Sequence, residues 1–321
     1  MEDEPSSPRF PRSVGADCDE SPTRLRAPRP NLFLIGSMKS ATTYLCELLA
    51  EHPSVFISSQ KEPCHFADER VLRRVWPYIW RLGYWRSEAR YLSLFAEAGD
   101  ATVIAEASTP YSQVPLFAGV AERILAFNPN SRFIYVMRDP IERTISHYWH
   151  KVRWWGERRP LLTAIRSDRH YTDVSHYARQ LKVYLNHVPR ERIYVLTYES
   201  LVAQPLEELR RVYAWLGIDS DFQPRIVGTP VNVTPEVMNQ VRGLGVLQQL
   251  KQSGVYHRIA PFVPATVRKW GTKRAVRPVK PADVPTNEVT SFLRPRQQRE
   301  TEELSALLNR SFPEWKTLFG R

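Results

Sequence analysis

The segment Gly36-Ser37-Met38-Lys39-Ser40-Ala41-Thr42-Thr43 gathers small, hydroxyl-bearing and cationic side chains into one short run. Before it, Leu32, Phe33, Leu34 and Ile35 form an apolar stretch of the kind that makes a buried parallel strand. After it, Tyr44, Leu45, Leu48 and Leu49 recur at helical spacing until His52 and Pro53 stop the pattern. A strand, a tight loop and a helix in that order aim the unpaired N–H groups of the helix's first turn at whatever lies above the loop. Gly36, Ser40 and Ala41 are small enough for the backbone to approach oxygen atoms, Thr42 and Thr43 offer hydroxyls, and Lys39 adds a point charge. Ser37, Lys39, Ser40, Ala41, Thr42 and Thr43 are therefore expected to cradle a phosphate-like anion. The plainer alternative is that Lys39 and the threonines only cap the helix. A nucleoside triphosphate loop would read G-x-x-x-x-G-K-[ST]; here Lys39 follows Gly36 after two residues with no second glycine, which weakens a nucleotide-kinase reading.

Arg138 closes the apolar run Phe133 to Met137, at the strand edge where ligands of α/β sheets sit, and Pro140 suits the first turn of a following helix. Ser146 lies two turns further along. A guanidinium fork bonds two phosphate oxygens at once, although Arg138 has a competing use as a surface partner of Asp139 or Glu142. Lys61-Glu62-Pro63-Cys64-His65-Phe66 places a carboxylate and an imidazole close together; the competing use of Glu62 is an ion pair with Lys61 or a neighbouring arginine.

These residues need elements to hold them. Thr102 to Ile104, Arg132 to Met137 and Ile193 to Thr197 read as further strands; Val120 to Phe127, Ile141 to Lys151 and Glu207 to Leu216 read as helices. Strands alternating with helices imply an α/β fold in three layers, a central, mostly parallel sheet flanked by helices. Of 321 residues, 42% are hydrophobic and 25% charged, enough to bury a sizeable core. Lys plus Arg number 45 against 34 Asp plus Glu, a net charge of +11 that favours anionic ligands without choosing among nucleotides, glycans and nucleic acid. Cys18, Cys46 and Cys64 form neither a disulfide framework nor a zinc pattern. No apolar stretch is long enough for a membrane span, and the acidic Glu2, Asp3 and Glu4 are unlike a secretory signal, so the expected compartment is the cytoplasm.

GSMKSATTYL resembles the 5′-phosphosulfate loop, close to G-x-x-K-[SG]-[GA]-T-[TS], of sulfotransferases that use adenosine 3′-phosphate 5′-phosphosulfate (PAPS). The stretch from Phe133 through Arg138-Asp139-Pro140 to Ser146-His147-Tyr148 resembles the second half of that family's nucleotide signature. The resemblance implies a P-loop-like fold, PAPS as donor, and Arg138 and Ser146 as ligands of its 3′-phosphate. KEPCHF resembles the K-E-x-H-F-F segment of members acting on heparan-type glycans, whose Glu is the general base, and so implies that role for Glu62. This chain departs from the pattern, with Cys64 in the usual His position and His65 one place later. Lys39 would then set positive charge against the bridging oxygen as the leaving group departs, with no metal demanded. IAEASTPY, around Glu106, Ser108 and Tyr111, matches an E-x-S-P-x-Y segment loosely, and the likeness extends to about residue 216.

Residues 1 to 30, rich in Pro, Ser and charge, are expected to form a disordered leader, and 31 to 321 one domain. From about 251 to 299 the chain is basic and Pro-rich, which predicts long loops. Lys273 and Arg274 there resemble the family's nucleotide-covering loop, and a solvated basic loop fits equally well. Glu300 to Leu307 reads as a closing helix. Trp76, Trp80, Trp85, Trp154 and Trp155 flank the acceptor-side segments, where stacking on a sugar competes with core packing. The expected partner is a glycan or small-molecule acceptor of a hydroxyl or amine, without nucleic acid. A non-catalytic binder of polyanions or nucleic acid remains the alternative that the charge permits.

Overall fold

Strand β1 (Leu32–Gly36) is buried at every position, as its unbroken apolar run requires, and it occupies the centre of a sheet. The computed structural model describes residues 28–228, 235–241 and 276–320. In chain order, β1 leads to α1 (Thr42–Ala50), β2 (Val55–Ile57), α2 (Glu69–Val75), α3 (Pro77–Leu82) and β3 (Val103–Ala107). Then come α4 (Val120–Phe127), β4 (Arg132–Met137), α5 (Pro140–Trp154), α6 (Tyr177–Leu185), β5 (Ile193–Thr197) and α7 (Pro205–Leu216). The strands lie in the order β2-β3-β1-β4-β5 and every neighbouring pair is parallel.

The pleat divides each strand between two cores. Phe33, Ile35, Phe133, Tyr135 and Met137 point to one face, where Ile124 of α4, Ile141 of α5 and Leu181 of α6 cover them. Leu32, Leu34, Ile134 and Val136 point to the other, under Leu45, Leu48 and Leu49 of α1 and Leu209, Val212 and Leu216 of α7. Each such fully buried side chain is worth roughly 1.5–3 kcal/mol. The chain passes from β1 to the edge strand β2, returns to β3 beside β1, then crosses over to β4 on the opposite side. The carboxyl ends of β1 and β4 therefore bound a topological switch point, where ligands of open α/β sheets bind.

Several elements extend beyond their predicted bounds. The strand expected over Thr102 to Ile104 is β3, running on to Ala107, and the helix expected over Ile141 to Lys151 runs from Pro140 to Trp154. The larger correction lies near the C-terminus. An antiparallel pair joins β6 (Met238–Val241) to β7 (Val276–Val279), and α8 spans Asn287–Leu308 with Pro295 inside it. The region predicted to be loop up to residue 299 is thus helical from 287. Its inward stripe is Val289, Leu293, Gln297, Thr301 and Leu304, so two polar residues interrupt the apolar periodicity that sequence reading relies on. Lys273 and Arg274 fall outside the described residues. So does the leader up to residue 27, but Arg29 is anchored: it bonds the Phe127 carbonyl (2.6 Å) and Glu88 (2.6 Å). Cys46 and Cys64 are free thiols. Among the described residues no helix is long and apolar enough to cross a membrane.

Candidate active site

The loop after β1 is shaped by its backbone. Lys39 and Ala41 take left-handed conformations, with φ of 73° and 62°, unusual for residues with a Cβ. Such alternation turns successive N–H groups into one concavity, an anion nest. Ala41 stands at the N-terminus of α1 without any side-chain cap, so the first-turn N–H groups have no side chain to satisfy them. The helix after β4 is finished differently: the Asp139 carboxylate accepts from the N–H groups of Ile141 (3.0 Å) and Glu142 (3.3 Å). The contrast removes the plainer reading of the first loop, because neither Lys39 nor the threonines cap α1. Gly36 cannot be larger, since a Cβ there would run into the Ser112 hydroxyl, and its φ is 145°.

A cleft of about 410 Å³ opens above this loop, within the usual range for small-molecule sites. Lys39, Ala41, Thr42 and Thr43 line it from the first loop, and Arg138 and Ser146 line it from the end of β4 and from α5. Lys61 and Glu62 come from the segment after β2, Thr109 from that after β3, and Tyr198 from the residue after β5. Every strand of the sheet thus sends its carboxyl-end segment to one cleft.

Of the residues singled out in the sequence, Ser37 and Ser40 are not among its lining. Their buried hydroxyls bond each other (2.7 Å), and Ser37 also donates to the Val136 carbonyl (3.0 Å), so they tie the loop to β4. His65 is a second correction. Its ring stacks on Tyr91 (4.2 Å between centroids) and its Nδ1 meets the Tyr84 carbonyl (2.7 Å), which holds it in the packing behind the cleft. The tryptophans divide: Trp76 and Trp154 line the cleft, Trp155 packs edge-on to Trp76, and Trp80 stacks with Trp85. Sequence reading missed His150 and Arg153, which also line it. With Ser146 and Trp154 they fall at i, i+4, i+7 and i+8 on α5, one helical face, and that spacing was the available signal.

The electrostatics are one-sided. Lys39, Lys61, Arg138 and Arg153 share the cleft with Glu62, the one carboxylate among its described lining residues. Burial, and then the charges of Arg138, Lys61, Arg153 and Arg143, push the Lys39 pKa down to about 8. Burial, followed by Lys39 and its cationic neighbours, also pushes His150 down to about 4, leaving it neutral near pH 7. Arg138 has the partner foreseen for it, Glu142 at 3.5 Å, yet it also lies over the Tyr198 ring (4.6 Å) and faces the cleft. Burial raises the Glu62 carboxyl above the usual carboxylate range, against the opposing pull of Lys61, Thr109 and Lys39. Thr109 donates its hydroxyl to Glu62 Oε1 (2.9 Å), and the Lys61 ammonium bonds the Thr43 hydroxyl, linking the segment that carries Glu62 to the loop after β1.

Fold and site together define a P-loop-like α/β protein with a cationic cleft around a carboxylate. The sulfotransferase family is matched over residues 30–224, which include β1 to α7 and all the cleft residues named above. The chain belongs to that family. A sulfotransferase from Alicyclobacillus acidocaldarius has the same fold, with a TM-score of 0.62 at 21% identity over 90% of this chain and 99% of that one. The mouse heparan sulfate glucosamine 3-O-sulfotransferase 3A1 is 27% identical over 241 residues, 71% of this chain and 53% of its own. The membrane-associated sulfotransferase kil1 of Dictyostelium discoideum is 29% identical over 125 residues, 39% of this chain and 24% of its own. The chain therefore spans about half, or less, of the length of these two relatives.

Proposed function

We propose that this protein transfers a sulfuryl group from PAPS to a hydroxyl or amine of an acceptor, with glycans as the leading acceptor class. The observation that carries the reading is the convergence of Lys39 and Arg138 on one cleft, at opposite sides of the switch point between β1 and β4. The residues present fit such a donor. Burial first, and then the surrounding cations, depress the Lys39 pKa; its ammonium has no ion-pair partner among the described residues, and a bound polyanion would favour its charged form. The glycan assignment is supported by the names of several relatives, which are heparan sulfate glucosamine 3-O-sulfotransferases, and by Trp76 and Trp154 at the cleft.

PAPS supplies an activated sulfuryl group, whose S–O bond to the 5′-phosphate breaks as the acceptor's oxygen or nitrogen bonds to sulfur. Glu62 takes the acceptor's proton, and Thr109 fixes the orientation of its carboxylate. Lys39 and the N–H groups of the first loop stabilise negative charge on the departing phosphate oxygen, where it grows most in the transition state. Arg138 and Ser146 hold the 3′-phosphate and so set the register of the nucleotide.

Calorimetry with adenosine 3′,5′-bisphosphate, ATP and an oligonucleotide, followed by transfer of radiolabelled sulfate from PAPS to pooled acceptors, tests the proposal. Preferred binding of the bisphosphate and label transfer to an acceptor are expected. Preference for ATP would favour a kinase, and preference for the oligonucleotide a nucleic-acid binder.

A further inference from the structure

The segment carrying Glu62 is held in a costly shape. Glu62 and Cys64 both adopt left-handed backbone conformations, with φ of 54° and 52°. Non-glycine residues keep such angles only where surrounding contacts over-determine them. Those contacts trace back to one side chain that the proposed chemistry does not use. Glu106 on β3 is wholly buried, and among the described residues it has no cationic partner. Its Oε1 accepts from the Ser108 hydroxyl (2.6 Å), and its Oε2 accepts from the Tyr91 hydroxyl. The Tyr111 phenol lies close enough to act electrostatically on the same carboxylate.

Each of these three side chains grips the Glu62 segment in turn. The Ser108 oxygen accepts from the Cys64 N–H (3.2 Å), the Tyr111 oxygen accepts from the Phe66 N–H (3.2 Å), and the Tyr91 ring carries the His65 ring. A hydroxyl whose proton is committed to a carboxylate must present lone pairs elsewhere, so Glu106 decides which way Ser108 accepts. The backbone adds one more tie, from the Glu62 N–H to the Ala107 carbonyl (3.0 Å). A buried, unpaired carboxylate is a poor device for stability, because hydrophobic or neutral replacements of buried charge are often no less stable.

We infer that Glu106 is a positioning residue: through Ser108 and Tyr91 it fixes the segment 62–66 so that the Glu62 carboxylate meets the acceptor in the cleft. The inference rests on the reading of Glu62 as base. Displacing a reacting group by about 1 Å costs on the order of 100-fold in rate, so weakening this grip acts on turnover first. The nucleotide is held by the other side of the cleft and is left alone.

The test measures kcat with saturating donor, and the dissociation constant of adenosine 3′,5′-bisphosphate, for Glu62→Gln, Glu106→Gln, Ser108→Ala and the Glu106→Gln/Ser108→Ala double variant. Expected are losses in kcat of about 10- to 100-fold for Glu106→Gln, and smaller ones for Ser108→Ala. Nucleotide affinity should stay within about twofold of wild type, and in the double variant the two losses should not multiply, because both residues act through one path. Wild-type kcat in Glu106→Gln, nucleotide affinity lost in step with kcat, or fully multiplicative losses would overturn the inference. If Glu106→Gln does not fold, Ser108→Ala and Tyr91→Phe are judged by the same split between kcat and affinity. An inert Glu62→Gln beside a fully active Glu106→Gln removes this inference alone, whereas a fully active Glu62→Gln removes the base assignment and this inference with it.

Discussion

Lys39 and Glu62 line the same cleft from different loops, and the ammonium's charge acts on the carboxyl while burial drives the two pKa values toward each other. Lys39 falls to about 8, and Glu62 rises above the usual carboxylate range. In the proposed roles, Glu62 must be ionised and Lys39 protonated in the free enzyme. The profile of log kcat/KM should therefore be a bell, with an acid limb above ordinary carboxylate values and an alkaline limb near 8. In Lys39→Arg the remaining activity should lose the alkaline limb, because a guanidinium stays charged throughout. An unmoved alkaline limb in that variant would show that another group titrates there.

Arg138→Ala and Ser146→Ala should weaken adenosine 3′,5′-bisphosphate, the arginine change more, since its fork makes charge-assisted bonds worth about 1.5–3 kcal/mol each. Wild-type affinity should fall as salt rises, and Arg138→Ala should flatten that dependence. Loss of the 3.5 Å pair with Glu142 should cost the fold little, because Glu142 is 42% exposed. Equal melting temperatures beside unequal nucleotide affinities would confirm the separation.

Trp154 leaves 56% of its surface exposed and still lines the cleft, so packing does not account for it. Trp154→Ala should raise the acceptor KM several-fold, by about 1 kcal/mol of lost stacking, and leave nucleotide binding intact. Acceptor and donor titrations of the variant read the two effects separately.

Gly36→Ala introduces a methyl group into the Ser112 hydroxyl at a φ of 145°. It should lower stability by at least about 1 kcal/mol and distort the loop that carries Lys39. Denaturant unfolding gives the first quantity and bisphosphate calorimetry the second.

The Glu106 carboxyl is pushed up by burial to about 7 from an ordinary 4.5. A folded-state pKa above the unfolded one means that the native protein binds the extra proton, so this group's contribution to stability is complete below about 4.5 and is lost as pH rises toward 7. Glu106→Gln has no such proton to lose. Its melting temperature relative to wild type should climb across that interval, and a flat difference would mean that Glu106 is not the group responsible.

The two anion-loop segments were legible in the sequence because they are local. A buried strand, a small-residue turn and an amphipathic helix announce themselves through nearest neighbours and periodicity, and Lys39, Thr42, Thr43, Arg138 and Ser146 all line the cleft. The runs that form β1, β4 and β5 were legible for the same reason, since parallel strands covered on both faces must be continuously apolar, whereas short β2 and the pair β6 and β7 were missed. His150 and Arg153 were legible in principle, as neighbours of Ser146 on one helical face, but only once that face was known to look into a cleft. What tertiary structure alone decided is which polar atoms find each other across long chain separations. Ser37 and Ser40 turn inward because Val136 offers a carbonyl there, and His65 leaves the cleft because Tyr91 and Tyr84 receive it. Gln297 and Thr301 lie on the inward stripe of the last long helix, where no apolar pattern could show them. Residue types prescribe what a side chain can bond; the partner it bonds depends on the crossing of strands distant in sequence, a property of the folded sheet and of no local window.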